Sequence, residues 1–237
     1  MEKNGRKLGV LGGMGSAASA EFLRILAATA PAVNDQEHPI VYMIADSEIP
    51  DRTEAILGNG PSPQERIYKD LEQLSSMGAD VLAVPCNTAH YFIDRFDKPL
   101  EKPLVHIIEE TVKAAQRMNP GGVWMISTIG TFNTGIYQEY AAKYALPLFF
   151  PNEEQRKLLQ QIILEVKANQ MERAGRHMKQ IGEELWAQRP IPIMTACTEL
   201  PLAYIAAGLP KDREISSLKA LAAGCIRELY KDEEQID

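Results

Sequence analysis

One local pattern is written twice in this chain. Val81-Leu-Ala-Val-Pro-Cys86-Asn-Thr-Ala-His90 and Ile191-Pro-Ile-Met-Thr-Ala-Cys197-Thr-Glu-Leu200 each carry an apolar run into a cysteine, followed by an amide or hydroxyl residue suited to cap a helix. The cysteines are 111 positions apart. A second pair repeats at an offset of 115: Val10-Leu-Gly-Gly-Met-Gly15 and Met125-Ile-Ser-Thr-Ile-Gly130 both open an apolar run into a small-residue turn. A chain so built is expected to fold as two α/β units of similar topology, joined at Asn119-Pro120-Gly121-Gly122, its strongest internal turn signal.

Short apolar or β-branched runs alternate with stretches of helical period, the pattern of parallel strands linked by crossover helices. The expected strands are Lys7–Leu11, Ile40–Ala45, Val81–Val84, Leu104–His106, Val123–Ile126, Leu146–Phe150 and Ile191–Met194. Gln64–Met77 is the clearest helix, with Ile67, Leu71 and Leu74 at i, i+4, i+7 and Gly78 as the stop. Ser62-Pro63-Gln64-Glu65 reads as its capping box, with proline at the first helical position. A last helix is expected over Ser217–Tyr230.

Composition narrows the class. The 237 residues suffice for one sizeable core or two small ones, and 45% apolar with 24% charged residues is ordinary for a globular protein. A formal charge of −7 argues against nucleic acid as the main partner, while leaving room for a small anionic ligand met by local cations. No apolar run approaches the ~20 residues of a membrane span, and no signal-peptide pattern is seen, so a cytoplasmic protein without a membrane partner is expected. Three scattered cysteines make no disulfide framework and fit a reducing compartment.

Several residues invite chemistry, each beside a plainer reading. Gly13-Met-Gly15-Ser-Ala-Ala18 matches the dinucleotide-binding pattern, with Asp46 as a late acidic partner. The plainer reading is a tight strand-to-helix turn whose free N–H groups can hold an anion. Cys86 and Cys197 each lie between a strand and a helix, where the dipole favours thiolate, and two thiols facing across a cleft suit proton transfer on opposite faces of one carbon. Cys225, in a helical pattern with Leu218, Leu221 and Ala222, reads as core. A zinc reading would recruit Cys86, His90, Cys197 and His106, but no C-x-x-C pair supports it, and His90 also serves simply to cover the turn after Cys86. Asn87, Thr88 and Thr198 are also natural N-caps. Arg52 and Lys167 are unremarkable from their local sequence.

Together, Leu8–Gly15, Ile49-Pro-Asp-Arg-Thr53, Pro85–His90, Thr128-Ile-Gly-Thr131 with Gly135-Ile-Tyr137, Glu165-Val-Lys167 and Ala196–Pro201 resemble the aspartate/glutamate racemase family of cofactor-independent amino-acid racemases. The resemblance implies two pseudosymmetric three-layer αβα domains with mainly parallel sheets, residues 1–110 plus 212–237 and residues 111–211, and an active site in the cleft between them. It further implies a homodimer, an amino-acid substrate, and no cofactor or metal. Carried over by position, Cys86 and Cys197 become the acid/base pair. Arg52 and Lys167 match cations that meet substrate carboxylates. Asn87, Thr88, Thr128, Thr131 and Thr198 match positions that hold the α-carboxylate and amino group, and Met14, Gly15 and Glu199 complete the expected substrate contacts. The chain departs from the family pattern at Ser16, where proline is usual, at Thr195-Ala196 in place of Leu-Gly, and at Ile215-Ser-Ser217, where many members carry Asp-Ser or Asp-Pro.

The implied reaction is racemisation, most directly of aspartate or glutamate: one thiolate removes the α-proton while the opposite thiol returns one. The alternatives are a broad-specificity racemase, a cysteine-dependent decarboxylase or cis-trans isomerase, a non-catalytic ligand-binding homologue, and a nicotinamide-dependent oxidoreductase using Gly13–Ala18.

Overall fold

The computed structural model describes residues 3–230; Met1, Glu2 and residues 231–237, which the expected first domain also includes, lie outside the described residues. Strands β1 (Leu8–Gly12), β2 (Val41–Ala45), β3 (Val81–Ala83) and β4 (Leu104–Val105) form one sheet in the order β2-β1-β3-β4. Strands β5 (Val123–Ser127), β6 (Leu148–Phe149), β7 (Ile193–Ala196) and β8 (Glu214–Ser216) form a second in the order β6-β5-β7-β8. Every pairing within both sheets is parallel. The orders are the same once β1 is set on β5, so the duplication read in the sequence is a duplication of topology. Parallel neighbours require a crossover, so all four carboxyl ends of each sheet lie along one edge. Cys86 follows β3 and Cys197 follows β7 on those edges.

Seven of the eight strands match expected runs. The eighth, β8, is three residues long and carries Glu214 and Ser216 around a single Ile215, too little apolar periodicity to be read as a strand; its pairing with β7 creates it. The second sheet therefore includes Glu214–Ser216.

The crossovers are α1 (Ser16–Thr29), α2 (Arg52–Leu57), α3 (Gln64–Ser76), α4 (His90–Ile93) and α5 (Ile107–Met118), then α6 (Ile129–Thr134), α7 (Ile136–Lys143), α8 (Glu153–Lys167), α9 (Met171–Gln188), α10 (Leu200–Ala206) and α11 (Ser217–Leu229). Helix α3 buries Ile67, Leu71 and Leu74 completely, each contributing roughly 1.5–3 kcal/mol of apolar transfer. Gly78, at φ +96°, ends it, with the Ala79 N–H returning to the Leu74 carbonyl at 3.1 Å. Its expected capping box is only half made. Ser62 Oγ accepts the Gln64 N–H at 3.2 Å, but the exposed Glu65 pairs forward with Lys69 instead of reaching back.

Three apolar clusters organise the interior. One lies between β1–β3 and α3 and includes Leu11, Leu71 and Cys86; another lies between β5, β7 and α8–α10 and includes Ile126, Ile162 and Cys197. The largest runs through both sheets, joining Val10 and Val81 to Met125 and Met194 by way of α5, α7 and α11. Helix α11 packs on both α1 and α5, so the two sheets share a core on that side.

At the C-terminal end of β2 a carboxylate pair offers a measurable pH effect. Burial, then the facing Asp46 carboxylate, pushes Asp70 up to about 6. Burial also works upward on Asp46, but Arg66, bound to both its oxygens, holds it below its usual range. A carboxyl whose folded pKa is raised favours the folded state while protonated, and that contribution fades as pH rises through ~4 to ~6. Asp70→Asn should therefore match the unmodified protein in Tm near pH 4 and exceed it at pH 7. Equal Tm differences at both pH values in a thermal melt series would refute this.

Candidate active site

Residues from both sheet edges close around one small cavity of about 20 Å³, lined by Cys86, Asn87 and Thr88 after β3, Thr128 after β5, Cys197, Thr198 and Glu199 after β7, and Arg52, Ile163 and Lys167 from the helices. That volume holds about one water molecule, well short of an amino acid. It adjoins a wider recess of about 430 Å³, shared through Met14, Asp51, Arg52, Lys167 and Glu199 and floored by the start of α1. Both cysteines are buried, as expected for thiols set inside the cleft.

The guanidinium of Arg52 is buried and donates to three backbone carbonyls, Ile49 at 3.2 Å and Pro50 at 3.1 Å through Nη1, and Met14 at 3.3 Å through Nη2. An arginine carries five N–H donors. Among the described residues these bonds leave Nε–H and one Nη2 hydrogen uncommitted, enough to receive a carboxylate. Asp51 caps α2 by accepting the Thr53 and Glu54 N–H groups at 2.8 and 3.0 Å, and its other oxygen stands 3.9 Å from Lys167 Nζ across the mouth. Burial pulls Asp51 upward, but the Glu54 N–H and Lys167 together hold it below the ordinary carboxylate range.

Three hydroxyls bridge the units inside. Thr88 Oγ1 lies 3.2 Å from Thr128 Oγ1 and 2.9 Å from Thr131 Oγ1, and those two are 3.0 Å apart. Thr128 also caps α6 by accepting the Thr131 N–H at 2.9 Å, so one hydroxyl serves both fold and site. Behind them the Asn87 amide donates to Ser217 Oγ at 3.0 Å and accepts from the Tyr137 hydroxyl at 2.6 Å, all three fully or nearly fully buried. Thus the departure at Ile215-Ser-Ser217 is used: Ser216 caps α11 and Ser217 fixes Asn87.

Cys197 has a charged partner. Its thiol donates to Glu199 Oε2 at 3.1 Å, and Thr198 Oγ1 donates to the same oxygen at 3.2 Å. Burial, then the Glu199 carboxylate, pushes the Cys197 thiol well above its ordinary value. The sequence leads one to expect a dipole-favoured thiolate here; the seven-residue α10 offers only a short dipole, and an adjacent buried anion outweighs it. Glu199 Oε1 is buried without a partner among the described residues and points across the cleft at Gly15, where an added Cβ would come within 2.7 Å of it. A side chain at Gly15 would therefore displace this carboxylate oxygen, which comes from beyond the other sheet.

All expected contact residues but Gly15 and Thr131 line the inner cavity; Gly15 floors the recess and Thr131 completes the hydroxyl ring. Asp51, Tyr137 and Ser217 stand in the sequence only inside quoted motifs, with no role of their own. Asp51 has a visible signal, an N-cap one residue before Arg52; Ser217 has none. Asp46, the late acidic partner of the glycine pattern, is paired with Arg66, and its backbone packs within 2.6 Å of where a Gly13 side chain would begin. No group of three or more His, Cys, Asp or Glu side chains among the described residues is arranged as a metal site, and His90 spends both ring nitrogens on the backbone. No helix among the described residues is long and apolar enough to cross a membrane.

Glu199→Gln keeps the size of the side chain and removes the charge beside Cys197. Cys197 should then titrate lower, so its peptide-resolved alkylation by iodoacetamide at pH 8 should quicken severalfold. An unchanged or slower rate would show that the carboxylate does not govern this thiol.

Residues 11–225 match the family described as Asp/Glu/hydantoin racemase. The broad specificity amino-acid racemase RacX of Bacillus subtilis (strain 168) is 26% identical over 197 residues, covering 81% of this chain and 85% of that protein. Among solved structures, the Picrophilus torridus aspartate racemase superposes with a TM-score of 0.84 at 28% identity, covering 97% of each chain. Glutamate racemase isoform RacE1 of Bacillus anthracis superposes with a TM-score of 0.66 at 21% identity, covering 93% of this chain and 80% of that one, a likeness of fold.

Proposed function

This chain belongs to the Asp/Glu/hydantoin racemase family, whose chemistry is isomerisation, and on that premise we propose that it racemises an acidic amino acid, aspartate or glutamate, by proton transfer between Cys86 and Cys197. The observation that carries the reading is that the two cysteines, each just beyond the corresponding strand of its sheet, line one cavity together. One thiolate takes the α-proton, a carbanion develops, and the opposite thiol protonates its other face. Atoms balance without a further reactant. The high Cys197 thiol makes it the resting acid; in the reverse direction Glu199 Oε2 is the nearest acceptor for the proton Cys197 must release. By the family resemblance Cys197 faces the α-hydrogen of the L enantiomer and Cys86 that of the D enantiomer.

The hydroxyls of Thr88, Thr128, Thr131 and Thr198, with the Asn87 amide, supply donors to an α-carboxylate and acceptors to an amino group. Arg52 and Lys167 meet a side-chain carboxylate, whose desolvation would otherwise be costly. The chemistry calls for neither pyridoxal phosphate nor a metal. The same reading takes the molecule as two domains, the first unit regained by the C-terminal helix, acting as a cytoplasmic homodimer.

Protein dialysed against chelator and carbonyl reagents should racemise L-aspartate or L-glutamate and take up solvent deuterium at the α-carbon. Activity restored only by an added metal or pyridoxal phosphate would overturn the two-thiol reading. Cys86→Ser and Cys197→Ser should each abolish racemisation, since serine is far too weak an acid for either role, while Cys225→Ser should leave it nearly intact.

A charge-assisted hydrogen bond is worth roughly 1.5–3 kcal/mol, or about one to two powers of ten in binding. Arg52→Met should thus lower kcat/KM for aspartate and glutamate at least tenfold and that for alanine much less. If neutral amino acids prove the better substrates, or suffer equally, the enzyme is a broad-specificity racemase instead, a reading the 26% identity to RacX favours.

A further inference from the structure

The two cysteines sit at corresponding places, yet their backbones are secured differently. The carbonyl of Cys197 accepts the Leu200 N–H at 3.2 Å, a main-chain bond that any sequence could supply. The Cys86 carbonyl has no main-chain donor among the described residues, and the His90 N–H bonds the Asn87 carbonyl at 3.1 Å. A side chain replaces it: His90 Nδ1 is 2.9 Å from the Cys86 carbonyl oxygen.

The other ring nitrogen fixes the rest. His90 Nε2 accepts the N–H of Ile107, the first residue of α5, at 3.4 Å. A nitrogen that accepts from an amide cannot carry a proton, and one that meets a carbonyl must, so these bonds select the neutral Nδ1–H tautomer. Burial, then neighbouring His106, pushes His90 down to about 3, which keeps the ring neutral. The His106 ring lies edge-on to His90 with centroids 4.5 Å apart, stacks on Tyr140 of α7 at 4.7 Å, and bonds Asp94 at 3.0 Å. The peptide that bears the Cys86 thiol is thus anchored through one imidazole to α5, and by packing to α7 beside the second sheet.

We propose that His90 is the positioning residue for Cys86, its Nδ1–H holding the Cys86 carbonyl and its Nε2 holding the start of α5, a device that the Cys197 half does not need. The consequence for catalysis rests on the two-thiol reading; the placement of the thiol does not.

The test separates the two. In His90→Leu both bonds go. In His90→Asn the side-chain amide keeps a donor at the δ position, so the bond to Cys86 is retained while that to Ile107 is lost. Peptide-resolved iodoacetamide kinetics on the folded full chain should show the Cys86 rate changed at least fivefold by His90→Leu and brought within twofold of the unmodified protein by His90→Asn, with Cys197 altered less than twofold in both. Equal changes at both cysteines would mean general loosening, and no change at Cys86 would mean that the bond is idle; either overturns the proposal, as would failure of the asparagine to restore the rate.

Turnover of α-deuterated L- and D-aspartate supplies the catalytic arm. His90→Leu should lower kcat at least tenfold with KM within threefold. Its substrate isotope effect should rise for the enantiomer whose hydrogen Cys86 removes and fall for the other, because only the Cys86 step is slowed. Isotope effects that move together in both directions would overturn the catalytic consequence. If the alkylation pattern holds but the unmodified protein exchanges no α-hydrogen, the positioning role stands and the two-thiol reading fails.

Discussion

Parallel pairing is the constraint from which the site follows. A strand laid parallel to its neighbour must be reached by a crossover, so the chain leaves every strand of a sheet at the same edge. With β1 and β3 central in one sheet and β5 and β7 central in the other, the turns after those four strands are the ones that converge. They carry Met14 and Gly15, Cys86 to Thr88, Thr128, and Cys197 to Glu199. Little else about the residues is needed to bring them to one cleft.

What holds the cleft shut is weaker than what holds the halves together. The largest apolar cluster passes through both sheets by way of α5, α7 and α11, and its separation would expose side chains worth roughly 1.5–3 kcal/mol each. The contacts over the cavity are three threonine hydroxyls, a Lys167–Asp51 pair at 3.9 Å, and α2 resting on α6 where Gly130 makes room for Thr53. Hydroxyl bonds of this kind contribute about 1 kcal/mol apiece and exposed ion pairs less. The cavity of about 20 Å³ is smaller than an amino acid, and the contacts over it are individually weaker than the apolar core that joins the two sheets.

The two halves repeat a topology without repeating its chemistry. Cys197 is steered by a carboxylate at 3.1 Å and by its own main chain. Cys86 is steered by an imidazole bonded to its carbonyl. A negative charge therefore lies next to one thiol, while a neutral ring lies behind the peptide of the other. Glu199 also reaches over the cleft to Gly15, so the setting of Cys197 depends on how the first unit is seated.

The sequence by itself determined the duplication, seven of the eight strands, helix α3 with its glycine stop, and the cysteine pair, because each is written in local periodicity and turn chemistry. The family resemblance also picked out residues that the fold gathers around one cavity. Tertiary structure alone decided the rest. Strand β8 exists only because β7 offers it a partner, since Glu214-Ile-Ser216 has no strand pattern of its own. The capping box after Ser62 was half wrong because Glu65 found Lys69 in solvent. The Cys197 thiol was expected to be lowered by a helix and is raised, because its environment is a buried carboxylate two residues on and the helix is short. Ser217 gives no local sign of serving Asn87, from which it is separated by 130 residues. Local sequence sets which conformations a segment prefers; which charge lies beside a thiol, and which hydroxyl reaches an amide, depends on distances between segments that only the packed chain fixes.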